Sequence, residues 1–269
     1  MTKQNIEISK PERPLLTALI ITYNEERNIK EVLQNISFAD EIIIIDSFSS
    51  DKTITIAKKF KKVKIIQHPF ENYALQRNFA ISQATNPWIL FIDADERLTP
   101  RLQEEIIQTI QQKEALSAYY ILRNFMFKNS RLFFSGWQTD KIIRLFQNNN
   151  IYYSEQKIVH EKLEVSGKTG KLKNKLTHYS YSDYWSYKQK MVLYGKLKAK
   201  EALAIKINPT FFHFYIRPIY QFIYQYFIRL GILDGKKGII ICYLNSLSVY
   251  VRFQELKRLK SEIIKTSKI

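Results

Sequence analysis

One cysteine, Cys242, stands in 269 residues. That excludes a disulfide scaffold and any zinc or iron–sulfur site built from several thiolates, and it fits a reducing compartment. Glycine and proline number seven each, too few for collagen-like repeats or long flexible linkers. Long apolar runs are also missing. The N-terminus, MTKQNIEISKPERP, has no hydrophobic signal core, and the longest charge-free window near the C-terminus, residues 238–251, is broken by Asn245, Ser246 and Ser248. A span needs about 20 mostly apolar residues, so neither a secretory signal nor a transmembrane helix is expected. Acidic residues are the remaining shortage. Lys and Arg total 42 against 25 Asp and Glu, a net charge of +17. The excess lies almost wholly in the second part: residues 1–156 hold 20 Lys and Arg against 18 acids, residues 157–269 hold 22 against seven, a net of +15. Such a balance implies an anionic partner, whether nucleic acid, anionic lipid or a phosphorylated substrate.

What is present is a globular composition, 45% hydrophobic and 25% charged, long enough for one large domain or a domain with an appendage. Continuous apolar runs at Leu15–Ile21, Glu41–Ile45, Val63–Ile66 and Trp88–Ile92 read as strands buried on both faces. Helical spacing lies between them: Ile29, Val32, Leu33 and Ile36 after a cap at Asn24; Ile54, Ile56, Ala57 and Phe60 after Ser49 or Ser50; residues 72–84; and a helix opened by Thr99-Pro100. Strands alternating with helices predict a parallel sheet covered on both faces, whose ligands bind beyond the carboxyl ends of the strands. From about Ala118 to Tyr179 short β-like runs follow one another, and after Asp183 the chain reads as helical to its end.

The strand ends are therefore the place for chemistry. Asp93 and Asp95 flank Ala94 where a buried strand stops, so their carboxylates can converge on one hard cation such as Mg²⁺ or Mn²⁺. A lone pair of this kind is as often a solvated acidic turn. Asp46 ends another strand and precedes a Ser-rich turn; the serines alone would be explained as helix caps, whereas Asp46 would not. His160 and His178 are two of only four histidines, and His178 taken by itself reads as a packed, hydrogen-bonded imidazole. Arg144 reads equally as an anion-orienting group or half of an internal ion pair. Trp137 and Trp185 read as core packing.

Taken in order, Ile20-Ile21-Thr22-Tyr23-Asn24-Glu25, Ile45-Asp46-Ser47-Phe48-Ser49-Ser50-Asp51-Lys52-Thr53, Gln76-Arg77-Asn78 and Asp93-Ala94-Asp95-Glu96 resemble the inverting family 2 glycosyltransferases of GT-A fold, over roughly residues 15–180. Val159-His160-Glu161-Lys162-Leu163, Thr177-His178-Tyr179-Ser180-Tyr181 and Leu230-Gly231-Ile232-Leu233-Asp234-Gly235 are similar to the bacterial lipopolysaccharide-core β-glucosyltransferase subgroup. The resemblance implies a nucleotide-sugar site lined by Thr22, Tyr23, Asn24, Glu25, Asp46, Arg77, Asp93, Ala94 and Asp95. It implies Mg²⁺ or Mn²⁺ held by Asp95 and Asp93, with His178 as a further ligand, and Glu161 as the catalytic base that deprotonates the acceptor. Many relatives carry a second Asp after the position of Asp46; here it is Ser47.

Residues 211–229 place His213, Arg217, Gln221, Gln225 and Arg229 at steps of four among Phe, Tyr and Ile, with Pro218 kinking or restarting the helix. A helix so aromatic packs on the catalytic domain, on a partner or into a membrane interface. The resulting expectation is an α/β, GT-A mixed-sheet catalytic domain at residues 1–182 and a basic, membrane-associating helical extension at 183–269. The function expected is transfer of a hexose, glucose from UDP-glucose, to a lipid-linked acceptor such as a lipopolysaccharide inner-core sugar, on the cytoplasmic face of the cell membrane. Another cell-surface polysaccharide or a protein glycan is an alternative acceptor. A basic nucleic-acid-binding protein or membrane scaffold is a reading of another class, disfavoured because no nucleic-acid-binding motif appears. A sugar-phosphate nucleotidyltransferase would need a Gly-rich, Arg-containing loop where Thr22-Tyr23-Asn24 stands.

Overall fold

Runs of Ile, Leu and Val supply the middle of the sheet because both of their faces are covered. In the computed structural model, which describes residues 13–128, 130–149, 151–154, 163–181 and 183–266, β1 (Leu16–Thr22), β2 (Glu41–Asp46), β3 (Val63–Gln67) and β4 (Trp88–Phe91) pair in parallel in the order β3-β2-β1-β4. Beyond β4 the direction reverses. β5 (Glu96–Leu98), β6 (Ala118–Phe127), β8 (Lys141–Gln147) and β11 (Thr169–Tyr181) continue the sheet as β8-β6-β11-β5, and β7 (Ser130–Leu132) pairs with β6. β4 and β6 both run antiparallel to β8, and β11 runs parallel to β6 and antiparallel to β5. β9 (Tyr152–Tyr153) and β10 (Leu163–Glu164) form a separate small ribbon. The mixed sheet with helices on both faces, expected from the sequence, is what the chain forms.

One face of the sheet is covered by α1 (Ile29–Asn35) and α4 (Pro100–Ile110), whose Val32, Leu33, Leu102 and Ile106 join Leu16, Ile44 and Leu90 in a single core. The other is covered by α3 (Tyr73–Ser82) through Ala74, Ala80 and Ile81. Asn72 and Thr99 cap α3 and α4 through their side chains, Thr99 as read from the sequence. Two expected caps are corrected. α1 starts at Ile29, not after Asn24, and α2 (Thr53–Ala57) takes no cap from Ser49 or Ser50. Asn24 turns through a left-handed backbone (φ 55°), and its Oδ1 accepts from Ser50 N at 2.8 Å. Ser49 Oγ donates to Asp46. The cap candidates cross-link two loops instead.

After β11 the chain is helical. α5 (Tyr184–Ala204) opens on a reciprocal cap between Asp183 and Ser186. α6 (Arg217–Ile223) carries Pro218, and the helical backbone enters it from a wide-wound segment at Phe212–Ile216 and leaves through another at Tyr224–Ile228, so the proline lies within a continuous helical stretch beside a widened turn. α7 (Gly235–Thr266) lies against α5; a methyl group on Gly195 would sit 2.7 Å from Ser248 O, so the two helices touch backbone to backbone there. The helices join the sheet through a cluster of Phe125, Phe127 and Leu132 with Tyr187, Met191, Ile241 and Leu244. A polar clasp adds to it: the Asp234 carboxylate accepts from Phe133 N (2.9 Å), Phe134 N (3.0 Å) and Ser135 Oγ (3.1 Å). Among the described residues no helix is long and apolar enough to cross a membrane.

Candidate active site

The pairing of β1 with β2 sets Thr22 beside Asp46 at the carboxyl edge of the sheet. Asp46 is fully buried. It accepts from Thr22 Oγ1 (3.1 Å), Ser49 N (2.9 Å), Ser49 Oγ and Gln67 Nε2 (3.5 Å). A carboxylate has about four acceptor positions, and the chain itself fills those of Asp46. The loops after β1 and β2 are further stitched by Glu25 N to Thr53 Oγ1 (2.7 Å) and Glu26 N to Asp51 Oδ2 (3.0 Å). Two exposed rings mark their rim, Tyr23 and Phe48, the latter on a left-handed backbone (φ 59°) uncommon for an aromatic residue.

The turn from β4 into β5 carries Asp93, Ala94, Asp95 and Glu96. Ala94 is buried, and Glu96 is inaccessible to solvent. Glu96 Oε2 accepts from Asp93 N (3.1 Å), closing the turn. Its Oε1 receives Arg144 Nη2 at 2.8 Å, and Arg123 Nη1 lies at 3.7 Å. Arg123 is itself held bidentately by Asp140 (2.7 and 3.0 Å). Arg144, from β8 and fully buried, also bonds Asp93 Oδ2 through Nη2. Arg77 of α3 reaches Asp93 Oδ1 at 3.4 Å, with its guanidinium over Phe91 and Tyr153. Burial by itself would raise the Asp93 pKa; the charges of Arg144 and Arg77 overcome that and hold it well below the usual carboxylate range. Asp93 is thus ionised and occupied on both oxygens.

Asp95 differs. The antiparallel pairing of β5 with β11 brings His178 opposite Glu96, and Tyr179 N donates to Asp95 O at 2.8 Å. His178 Nε2 then lies 3.3 Å from Asp95 Oδ2. Burial opposes ionisation of Asp95, but the hydrogen bond and charge of His178 bring its pKa below the ordinary value. Glu25 completes the group. Burial raises its pKa, the Asn28 hydrogen bond (2.7 Å) lowers it, and the negative charges of Asp95, Asp93 and Asp51 raise it further. Arg97 fastens these pieces together through Ala94 O (2.7 Å) and Asn28 O (3.0 Å).

This donor set can be tested against a divalent cation. Among the described residues no three His, Cys, Asp or Glu side chains are arranged as a metal cage. Asp95 and His178 offer one carboxylate and one imidazole on the same side of the turn, while Asp93 faces two guanidiniums. Mg²⁺ or Mn²⁺ fits such a site when substrate phosphates and water complete its shell.

The structure therefore brings Glu25, Asp93, Asp95, Arg77 and His178 together, and uses Asn24 and Asp46 to set the loops beside them. Glu161 and His160 lie outside the described residues. Sequence reading missed Glu96 and Arg123 as the internal support of the turn; the Glu three residues after Asp93 was the available signal for the first. Trp137 stacks on Phe125 (3.8 Å between ring centres), which meets His178 edge-on, whereas Trp185 is exposed.

A Rickettsia felis glycosyltransferase is 27% identical over 265 residues, covering 94% of this chain and 92% of its own. The lipopolysaccharide core biosynthesis glycosyltransferase LpsC of Rhizobium meliloti is 25% identical over 259 residues, covering 90% of this chain and 94% of LpsC. Among solved structures, S. aureus TarS 1–349 is similar with a TM-score of 0.47 at 15% identity, covering 92% of both chains. The family model Glycosyl transferase family 2 matches residues 17–219. That span takes in every strand-end loop described above, and the chain belongs to glycosyl transferase family 2.

Proposed function

We propose that this glycosyltransferase moves a hexose, glucose, from a UDP-linked donor to a lipid-linked saccharide acceptor, an inner-core sugar of lipopolysaccharide, on the cytoplasmic face of the cell membrane. The observation that carries the reading is the split between two neighbouring carboxylates: Asp93 clamped by Arg144 and Arg77, and Asp95 turned to His178 beside Glu25. The likeness to LpsC supports the acceptor class.

In this reading the exposed rings of Tyr23 and Phe48 flank the nucleoside, and Asp46 keeps the loops that carry them in place. Asp95 and His178 would hold a Mg²⁺ or Mn²⁺ ion, which would neutralise charge growing on the departing diphosphate. Arg77 supplies further positive charge nearby. The acceptor oxygen attacks the anomeric carbon from the face opposite the diphosphate. Its proton passes to Glu161, the new glycosidic bond forms with inversion, and the diphosphate leaves with the electron pair of the broken bond. General-base help of this kind contributes about 10²–10⁴ in rate.

The test is a donor-hydrolysis screen of nucleotide sugars with Mg²⁺ or Mn²⁺, followed by transfer to truncated core oligosaccharides. Release of UDP from UDP-glucose, abolished in Asp95→Ala, is the expected result. Indifference to every activated sugar offered, or full turnover in Asp95→Ala, would overturn the proposal. Glu161→Gln should retain donor binding and lose transfer.

A further inference from the structure

The helix through Phe212–Ile216, α6 and Tyr224–Ile228 is amphipathic in the reverse sense. Its polar residues face the protein. Gln225 Oε1 accepts from Asn245 Nδ2 of α7 at 2.9 Å, and the His213 ring lies 4.8 Å from that of Phe253. Arg229 Nη2 donates to Gly136 O (3.2 Å) and Thr139 Oγ1 (2.7 Å). The apolar residues face outward. Phe212, Ile216, Ile219, Ile223 and Phe227 recur at steps of three and four, one stripe of a helix, with Tyr215 and Tyr220 beside it; all seven are 44–62% exposed. A surface helix facing water shows the opposite arrangement. A contiguous apolar stripe left outside marks a contact surface.

The charges around the stripe say what covers it. Residues 206–237 contain Lys206, Arg217, Arg229, Lys236 and Lys237 but a single acid, Asp234, whose carboxylate is consumed by Phe133, Phe134 and Ser135. A second copy placed face to face would bring like charges together with no acid to meet them. No described helix is apolar enough to span a bilayer. Tyr and Phe with flanking Lys and Arg are the composition that settles at the headgroup level.

We propose that residues 212–228 dock in the plane of an anionic lipid surface, the aromatic stripe entering the headgroup region and Lys206 and Lys236 meeting lipid phosphates. This surface does not depend on which sugar or acceptor is used, and it can be tested without either. The purified full chain is sedimented with vesicles of phosphatidylcholine alone or mixed with phosphatidylglycerol, at low and high salt. Binding is expected to the anionic vesicles only and to weaken with salt. Lys236→Gln should weaken it about fivefold, and Phe212→Ser/Ile219→Ser/Phe227→Ser should weaken it more. These side chains are exposed, so the variants should melt like the parent. As a second measurement on the unaltered chain, vesicles should slow amide hydrogen exchange in residues 212–228. No sedimentation at low salt, equal binding by the triple variant, or protection elsewhere only would overturn the proposal. So would a stable dimer in solution that Ile219→Arg dissociates. Donor hydrolysis is scored separately in detergent, so loss of docking and loss of transferase activity cannot be confused.

Discussion

Asp93 and Asp95 sit two residues apart and do different work, and the difference comes from which side chains the sheet brings to each. Asp93 neutralises a fully buried Arg144. Asp93→Asn leaves that guanidinium with Glu96 as its one bonded anion and should cost about 3 kcal/mol of stability, read as a lower denaturation midpoint. Asp95→Asn should leave the midpoint nearly unchanged and reduce transfer by about 10²–10³-fold. The pH dependence follows with its sign. The Asp93 pKa is held below its ordinary 3.8 against the effect of burial. Its contribution is therefore full above the unfolded value and lost as pH falls through the folded one. Arg144→Met removes the principal cause of that depression, so the variant, less stable at neutral pH, should lose less further stability between neutral and acid pH than the parent, read as a shallower fall of the denaturation midpoint. Glu25 runs the other way. Burial and its acidic neighbours raise its pKa, so its contribution is full below the unfolded value and lost as pH rises through the folded one. Glu25→Gln should stabilise the protein at neutral pH, measured by thermal unfolding across pH. At this scale the sequence showed which residues carry charge. It could not show that Asp93 meets Arg144, 51 residues away, because nothing local announces that partner.

At the scale of elements, local signals held where local physics decides. Asn72 and Thr99 cap the helices they precede, since each side chain reaches an amide three residues on. Asn24, Ser49 and Ser50 carried the same signal and went elsewhere. β1 and β2 lie side by side, and their following loops offered each other closer partners: Asn24 N donates to Ser49 Oγ, and Ser50 N donates to Asn24 Oδ1. The Leu230–Gly235 segment read as a family mark; the fold shows it as the joint between extension and sheet. Asp234→Ala should leave the Phe133 and Phe134 amides without their acceptor and cost about 1–3 kcal/mol. Gly195→Ala should cost a similar amount by forcing α5 from α7 against Ser248 O. Both are measured by chemical denaturation, with donor hydrolysis retained in the surviving folded fraction.

For the whole molecule, near-neutral α/β sheet and basic helices are two charge environments in one chain. Asp93 and Glu96 are balanced internally by Arg77, Arg123 and Arg144, so the turn that carries them does not need a cation to hold its fold. Chelation by EDTA should accordingly abolish turnover while moving the melting temperature little, and added Mg²⁺ or Mn²⁺ should restore activity. The sequence by itself determined the fold class, the strand ends at which the motifs stand, and the excess of positive charge. Periodicity and composition encode these directly, because burying apolar runs on both faces leaves few arrangements. Tertiary structure alone decided the rest: which carboxylate is clamped, which faces His178, and which side of the 212–228 helix meets the protein. Those outcomes depend on contacts between residues far apart in the chain, where the energy of a buried charge or a paired polar group outweighs any local preference.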